Sequence, residues 1–165
     1  FEIETSKAIG IQLIRHRSFS FQEFSQRYQD VNHLGDIFEP LELRAQCEDN
    51  RQSSTEIINP SLYRNFNTGL KSYTAQQVIN NHFEDAHTLY NDLLEAGVAR
   101  EQARMVLPLN TTTKIHMTGS IRSWIHFLEL RDDGHAQKEI QLVAQEIKRI
   151  FINKFPIISK ALEYE

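Results

Sequence analysis

The spacing of apolar residues along the chain predicts long helices together with short strands. Over residues 74–96, apolar side chains recur every three or four positions, which is the spacing of one buried helix face, and Gly97 follows as a stop signal. Over residues 110–118, every second residue from Thr113 to Met117 is β-branched or apolar. That alternation is typical of a strand with one buried face.

The remaining regular elements follow from the same criteria. In chain order we predict a strand over 1–4, a helix capped by Thr5 or Ser6 that ends near residue 15 or 16, a short helix over 100–106, a helix over 121–130 capped by Ser120, and a helix over 136–153 that ends at Pro156. The chain from residue 17 onward is predicted to be extended, because apolar and polar residues alternate there. If the extension continues, Glu23, Ser25 and Arg27 share one face.

Residues 29–73 form the least regular part of the sequence. They combine Asp, Asn and Ser with several Gly and Pro residues and show little hydrophobic period. We predict a long loop excursion here, with one helical turn near residues 40–46. Structureless loops of this length are uncommon in compact domains. The part from 32 to 73 is therefore interpreted as an irregular, insert-like loop region, to which the sequence assigns no function.

These elements place the chain in the mixed α+β class. We predict a single α/β domain over residues 1–165, mostly helical with a small sheet. Neither a phosphate-binding P-loop nor the G-x-G-x-x-G turn of dinucleotide-binding folds occurs, so a Rossmann sheet is not expected. The chain begins at Phe1, within the first predicted strand, so we expect further residues upstream in the full protein.

Composition and charge narrow the classes of function. The 18 basic and 22 acidic residues give a net charge of −4, which argues against a nucleic-acid coat or a membrane-surface protein. No apolar run approaches the ~20 residues of a membrane-spanning helix. Cys47 is the single cysteine, so no internal disulfide can form, and a cytoplasmic location is expected.

Six arginines stand in stretches where a hydrophobic core does not need them. They are Arg15, Arg17, Arg27, Arg104, Arg122 and Arg131. A guanidinium among apolar neighbours needs a partner, and its forked geometry suits phosphate groups and flat rings. We therefore predict a polyanionic or nucleotide-like ligand held by several segments. The alternative is that each arginine pairs with a carboxylate or reaches solvent, and for Arg131 a position at a helix C-terminus is favourable in itself.

The sequence shows no activated nucleophile, and no metal site is predicted. Ser25 has no evident base beside it, and Cys47 lies in the irregular region without a neighbouring histidine. His82 and His87 are five residues apart, which is the wrong spacing for ligands on one helix face. Covalent catalysis by a thiolate is therefore not expected.

Two blocks of residues resemble the motifs of the flavin-dependent thymidylate synthases. The first is Arg15-His16-Arg17, followed after seven residues by Ser25 and by Arg27-Tyr28. The second comprises Ala103-Arg104-x-x-Leu107-Pro108, a Thr-rich strand, Arg122-Ser123, Phe127-Leu128, Leu130-Arg131 and His135-Ala136-Gln137-x-Glu139-Ile140. The motifs follow the order of the family, and the resemblance covers nearly the whole chain outside residues 32–73.

The resemblance implies an enzyme that methylates deoxyuridine monophosphate (dUMP) to thymidylate (dTMP). In this family methylenetetrahydrofolate supplies the carbon, and FAD reduced by NADPH supplies the hydride. The family is a homotetramer whose active sites are built from several subunits. It also has flavin-binding residues, including a histidine, upstream of the position that matches Phe1. The implied partners are therefore dUMP, folate, NADPH and further copies of this chain.

The resemblance also implies roles for individual residues. Contacts with FAD are expected at Arg15, His16, Arg17, Glu23, Ser120, Ile121, Arg122 and His126. Contacts with dUMP are expected at Gln12, Arg15, Glu23, Ser25, Gln26, Arg27, Arg104 and Arg131, with Arg104 donated by another subunit. Arg131 is the implied catalytic residue, a fixed cation that favours the ionised N3 of the uracil ring and makes its C5 electron-rich.

Two other classes of function stay open at the level of sequence. A relative that keeps the arginines but has lost turnover would be a non-catalytic nucleotide-binding or regulatory module. A helical oligomerisation module with arginine–carboxylate interfaces would bind no ligand. Oxidation of NADPH that depends on the deoxynucleotide separates the enzyme from both. A thermal stability that nucleotide does not change identifies the oligomerisation module.

Overall fold

The computed structural model describes residues 1–51, 53–66 and 69–164. Its helices are α1 (Lys7–Leu13), α2 (Ala75–Glu95), α3 (Arg100–Ala103), α4 (Ile121–Arg131), α5 (Lys138–Lys154) and α6 (Pro156–Ala161). Its strands are β1 (Glu2–Ser6), β2 (Phe19–Glu23), β3 (Arg44–Gln46), β4 (Ser54–Ile57), β5 (Ser61–Phe66), β6 (Gly69–Thr74) and β7 (Thr112–Gly119). The strands pair antiparallel, and the mixed helix-and-sheet class is confirmed. No helix in these ranges is long and apolar enough to cross a membrane.

A three-stranded antiparallel sheet stands at the centre of the fold, with β7 between β1 and β2. In its register Ile3 lies opposite Ile115, and Phe21 lies opposite Met117. Ile115 and Met117 are fully buried, as the alternation of β7 predicts, while His116 between them is exposed. The strands predicted near the N-terminus and over 110–118 are therefore confirmed.

Helices α1, α4 and α5 pack on this sheet and build the main core. Its buried members are Ile3, Ile9, Leu13, Phe19, Ile115, Met117, Trp124, Phe127, Leu128, Ile140, Ala144, Ile147 and Phe151. In α4 the buried face is rotated from the predicted one. Trp124 and Leu128 are buried as expected, but Ile121 in the first turn is 38% exposed, and Phe127 is fully buried instead.

Polar caps fix where three of the helices begin. The hydroxyls of Ser6 and Ser120 each accept a hydrogen bond from the backbone N–H three residues along the chain. Thr74 forms a reciprocal capping box with Gln77. Each cap satisfies an N–H group that the first helical turn leaves without a partner, so the sequence predicts these starts correctly. Gly97 stands after α2 with a φ of +83°, which confirms the predicted stop signal.

The prediction of an irregular loop over residues 29–73 is wrong in the described part of this segment. It holds two antiparallel hairpins, β3–β4 and β5–β6, after a 3₁₀ turn over Val31–Leu34. The helical turn expected near residues 40–46 is wrong as well, because β3 lies there. Strand β4 is exposed at every position, so no buried face leaves an apolar alternation in its sequence.

Helix α1 ends at Leu13, before the predicted end near residue 15 or 16, and two further boundaries also differ from the prediction. The extended conformation ends at Glu23, and a turn follows, in which the backbone N–H of Gln29 donates to the carbonyl of Ser25. The extension does not continue, so the condition for a common face of Glu23, Ser25 and Arg27 is not met. Pro156 ends α5 but also begins α6, because its fixed φ and missing N–H suit the first turn of a helix.

A smaller core lies between α2, α3 and the chain that follows β2. Val31, Tyr90 and Ala103 are fully buried in it. The hydroxyl of Tyr90 also donates to the carboxylate of Asp30 at 3.4 Å. These contacts tie the 3₁₀ turn to both helices, and they hold the turn after β2 close to α3.

Gly119 lies at the end of β7, directly beneath the ring of Phe19. A Cβ added here would be 2.4 Å from a ring carbon of Phe19, which packs against Trp124 in the main core. We expect Gly119→Ala to lower the free energy of unfolding, measured by urea denaturation, by about 1–3 kcal/mol. Gly134→Ala is the matched control, since no atom lies within 4 Å of its added Cβ. Equal effects of the two substitutions would contradict this packing.

Candidate active site

The side chains of His16 and Arg131 meet, although 115 positions separate them in the sequence. His16 follows α1, and Arg131 is the last residue of α4. The Nε of Arg131 donates to Nε2 of His16 at 2.9 Å. Since a guanidinium only donates hydrogen bonds, Nε2 must carry a lone pair. The contact joins the two motif blocks at one point of the molecule.

The surroundings of His16 keep its imidazole neutral. The ring packs against Phe127 with the ring centres 5.0 Å apart. Burial, and then the positive charges of Arg131 and His126, lower the pKa of His16 from 6.5 to about 4. The neutral form is the one that the contact requires, because a protonated ring has no lone pair to offer Arg131.

The stability of the protein should depend on pH through His16. The unfolded chain binds a proton at this ring near pH 6.5, whereas the folded chain binds it only near pH 4. The stabilising contribution is therefore complete above pH 6.5 and is lost as the pH falls from 6.5 to 4. Over this range the free energy of unfolding should fall more steeply in the unsubstituted protein than in His16→Gln. All other titrating groups are shared by the two proteins, so parallel profiles would contradict the assignment.

The first turn of α4 lies against the chain that follows His16. The hydroxyl of Ser123 donates to the carbonyl oxygen of Ser18 at 3.2 Å. Ser123 is also hydrogen-bonded to the capping hydroxyl of Ser120 at 3.0 Å. The contact brings two sets of predicted flavin residues to neighbouring backbone positions. They are Arg15, His16 and Arg17 on one segment and Ser120, Ile121, Arg122 and His126 on the other.

Three of the predicted flavin residues present guanidinium groups to solvent. Arg15, Arg17 and Arg122 are exposed, and no residue in the described ranges forms a hydrogen bond or ion pair with their side chains. The apolar residues beside them in the sequence therefore do not surround these three guanidinium groups. Exposed cations beside the N-terminus of a helix, where backbone N–H groups lack intrahelical partners, suit an anionic ligand.

Glu23 is held by two hydrogen bonds to one of its oxygens. Its Oε1 accepts from the Lys7 ammonium at 2.7 Å and from the Thr113 hydroxyl at 3.0 Å. The side chain is about a quarter exposed, and within the described part of the chain Oε2 has no hydrogen-bond partner. Glu23 therefore has a fixed position and one oxygen left to accept from a ligand.

A cavity of about 360 Å³ opens beside the end of β2. Its lining includes Glu23 and Ser25 from the predicted substrate segment, together with Lys114 and His116 from β7. Gln26 is buried, and its Nε2 has no hydrogen-bond partner among the described residues. A buried amide donor is normally satisfied, so this group needs an acceptor from water, a ligand or another chain.

Arg27 and Arg104 both contact Glu101 on α3. Nη2 of Arg27 forms an ion pair with Oε2 of Glu101 at 3.1 Å. Nε of the half-buried Arg104 donates to the backbone carbonyl oxygen of Glu101 at 3.3 Å. Over the described ranges, no hydrogen bond or ion pair joins this pair to His16 or Arg131. The described contacts of Arg27 and Arg104 are therefore separate from the contact between His16 and Arg131.

The hydrophobic pattern of the sequence does not identify the residues that hydrogen-bond to several of the predicted site residues. Gln12 donates from Nε2 to Oε1 of Gln137 at 2.6 Å. Lys7 and Glu101, the partners of Glu23 and Arg27, were not predicted either. Only Gln137 had a sequence signal, since it belongs to the second motif block.

The protein is a mixed α+β domain, and its exposed guanidinium groups beside a helix N-terminus suit an anionic ligand. The family model described as thymidylate synthase complementing protein matches residues 1–157. The flavin-dependent thymidylate synthase of Synechocystis sp. is 42% identical over 163 residues, which is 99% of this chain and 70% of the relative. A probable flavin-dependent thymidylate synthase of Paramecium bursaria Chlorella virus 1 has the same identity and coverage. The chain belongs to the flavin-dependent thymidylate synthase family.

A more distant relative agrees with this assignment. The flavin-dependent thymidylate synthase of Thermosipho melanesiensis is 36% identical over 156 residues, which is 94% of this chain and 63% of the relative. The matched regions contain both motif blocks, from Arg15 to Glu139, so the resemblance seen in the sequence is confirmed.

Proposed function

We propose that this chain acts as a flavin-dependent thymidylate synthase, which methylates dUMP to dTMP. The observation that carries the proposal is the contact between Arg131 and His16, because it joins the two motif blocks of the family in one folded chain. Membership of the family supports the enzyme class and the flavin cofactor. Methylenetetrahydrofolate as the carbon donor and NADPH as the reductant complete the proposed reaction.

The proposed FAD site lies where α1 ends and α4 begins. The donor set fits the cofactor, because the guanidinium groups of Arg15, Arg17 and Arg122, which no residue of the described chain pairs, lie beside a helix N-terminus and suit its pyrophosphate. The other proposed contacts are His16, Glu23, Ser120, Ile121 and His126. When bound and reduced, the flavin supplies the hydride that completes the methyl group.

The proposed dUMP site follows β2. Here the buried Nε2 of Gln26 has no acceptor among the described residues, and the fork of Arg27 suits a phosphate dianion. Arg27 must leave Glu101 to bind phosphate, and an exposed ion pair of this kind stabilises a protein by under about 1 kcal/mol, so the exchange is easy. The other proposed contacts are Gln12, Arg15, Glu23, Ser25, Arg104 and Arg131.

Arg131 is the proposed catalytic residue. His16 occupies its Nε and fixes the guanidinium, which leaves the two terminal nitrogens for the uracil ring. A fixed cation there stabilises the negative charge that develops when N3 loses its proton. Ionisation of N3 makes C5, the carbon that receives the methyl group, more electron-rich. No thiolate step is proposed, and Cys47 lies in the turn after β3.

We also infer a cytoplasmic homotetramer with shared active sites. Arg104 is the proposed contact to dUMP bound on another subunit, as the resemblance to the family implies. Met105 and Leu109 next to it are 70% and 64% exposed, and a subunit contact would bury these apolar side chains.

The activity is tested with the full-length protein that contains this chain. We expect NADPH oxidation that requires dUMP and, with methylenetetrahydrofolate present, forms dTMP. Binding of dUMP without turnover would identify the non-catalytic nucleotide-binding module instead. A thermal stability that dUMP leaves unchanged would identify the oligomerisation module, since a ligand at 100 times its Kd should add about 2.7 kcal/mol.

Arg27 should contribute chiefly to substrate affinity. Arg27→Ala removes a charged contact with the phosphate, so we expect KM for dUMP to rise about tenfold or more with little change in kcat. The fold should tolerate the change, because the side chain is about half exposed. Steady-state kinetics check this, with Arg27→Lys as the variant that keeps the charge but loses the fork. An unchanged KM would reject the phosphate contact.

A further inference from the structure

Three hydrogen-bonded contacts connect α1 to the β3–β4 hairpin. Nε2 of Gln12 donates to Oε1 of Gln137 at 2.6 Å. Nε2 of Gln137 donates to Oε2 of Glu139 at 2.9 Å. The other oxygen of Glu139 accepts from Arg44, which stands on β3. Gln12 and Gln137 are 125 positions apart in the sequence, and Arg44 and Glu139 are 95 positions apart.

Arg44 stands at the fixed end of this series of hydrogen bonds. Its side chain is only 13% exposed, and it is also bonded to Glu42 at 2.6 Å and to the hydroxyl of Ser54 at 3.1 Å. Burial alone would raise the pKa of Glu139. The Glu139 backbone N–H, Gln137 and Arg44 act in the opposite direction and lower that pKa below its ordinary value. Glu139 is therefore an ionised carboxylate, which only accepts hydrogen bonds.

The charge of Glu139 sets the direction of both glutamine amides. Because the carboxylate only accepts, Gln137 must turn its NH₂ group toward Glu139 and its oxygen toward Gln12. Gln12 must then turn its own NH₂ group toward Gln137. Its oxygen, Oε1, is left without a hydrogen-bond partner among the described residues.

We propose that Gln137 is a positioning residue for substrate binding, which holds the Gln12 amide with Oε1 presented to a hydrogen-bond donor of the bound nucleotide. The inference rests on the proposed function, in which Gln12 contacts dUMP. Glu139 and Arg44 act through Gln137, since they fix which way its amide points. The β3–β4 hairpin thereby gains a role in the dUMP site through Arg44.

The test uses Gln137→Met, which keeps the length of the side chain and removes the amide. Gln137 is exposed and its side chain caps no backbone N–H of α5, so the variant should fold. We expect the Kd for dUMP to rise about fivefold, as the loss of one positioning hydrogen bond implies, while flavin content is unchanged. Gln145→Met on the exposed face of α5 is the matched control, and its Kd should match that of the unsubstituted protein.

A double-mutant cycle shows whether Gln137 acts through Gln12. In a Gln12→Met background, Gln137→Met should weaken dUMP binding no further. Likewise, Glu139→Gln should not weaken dUMP binding further in a Gln137→Met background. Additive effects, or an unchanged Kd in Gln137→Met alone, would overturn the inference while leaving the proposed function in place. Failure of the unsubstituted protein to bind dUMP would overturn the proposed function itself, and this inference with it.

Discussion

Arg131→Ala should lower kcat by about 10²–10³-fold, which is the usual effect of removing one preorganised group from developing charge. The guanidinium is fixed by its 2.9 Å contact with a neutral His16, so it is aligned before the substrate reacts. Flavin should stay bound, because Arg15, Arg17 and Arg122 are untouched. Initial rates of dTMP formation, together with flavin absorbance per chain, measure both quantities.

The control for this substitution is Arg149→Ala. Arg149 lies on the exposed side of α5 and pairs with Glu146, so its loss should change kcat by less than about twofold. If Arg131→Ala instead loses its flavin and keeps its rate per bound flavin, Arg131 is a cofactor ligand rather than the catalytic residue.

Leu128→Ala should lower the free energy of unfolding by about 2–5 kcal/mol. Leu128 is 2% exposed in the main core and lies one turn before Arg131 on α4. The substitution leaves a cavity where the helix packs on the sheet, and urea denaturation measures the loss. The same helix supplies a matched control, since Leu130 is 49% exposed. Leu130→Ala should cost less than about 1 kcal/mol, and equal losses would contradict the packing of α4.

The elements with a buried face and a capping residue could be predicted from the sequence. Helix α2 has both a stripe of apolar residues and a cap at Thr74, and it begins where the sequence indicates. Strand β7 likewise alternates between buried and more exposed residues. The periodicity is visible in these elements because each has one face in the core and one face outside it.

The two hairpins between residues 44 and 74 could not be predicted in this way. Strand β4 is exposed along its whole length, so its stability comes from backbone pairing with β3, not from burial. Every residue type except proline can donate a backbone hydrogen bond, so this pairing leaves no pattern of side chains in the sequence. The bulged register between Arg44 and Gln46 also removes any regular alternation.

The candidate site could also be predicted from the sequence only in part. The order of the motifs drew attention to His16 and Arg131, and the structure brings these two together. The direction of the Gln12 amide could not be foreseen, because it depends on Arg44, which lies in the segment predicted to be a loop. The apolar neighbours of the arginines in the sequence suggested that each guanidinium needs a partner, with solvent as the alternative. Arg15, Arg17 and Arg122 are exposed, since neighbours along a helix or turn face different directions.

The proposed synthase is tested most directly by the visible absorption spectrum of the purified full-length protein, recorded with and without dUMP. We expect a flavin band that shifts when dUMP is added, because His16, a proposed FAD contact, is hydrogen-bonded to Arg131, a proposed dUMP contact. A colourless protein that cannot be reconstituted with FAD would contradict it, and the exposed arginines would then need a different anionic ligand.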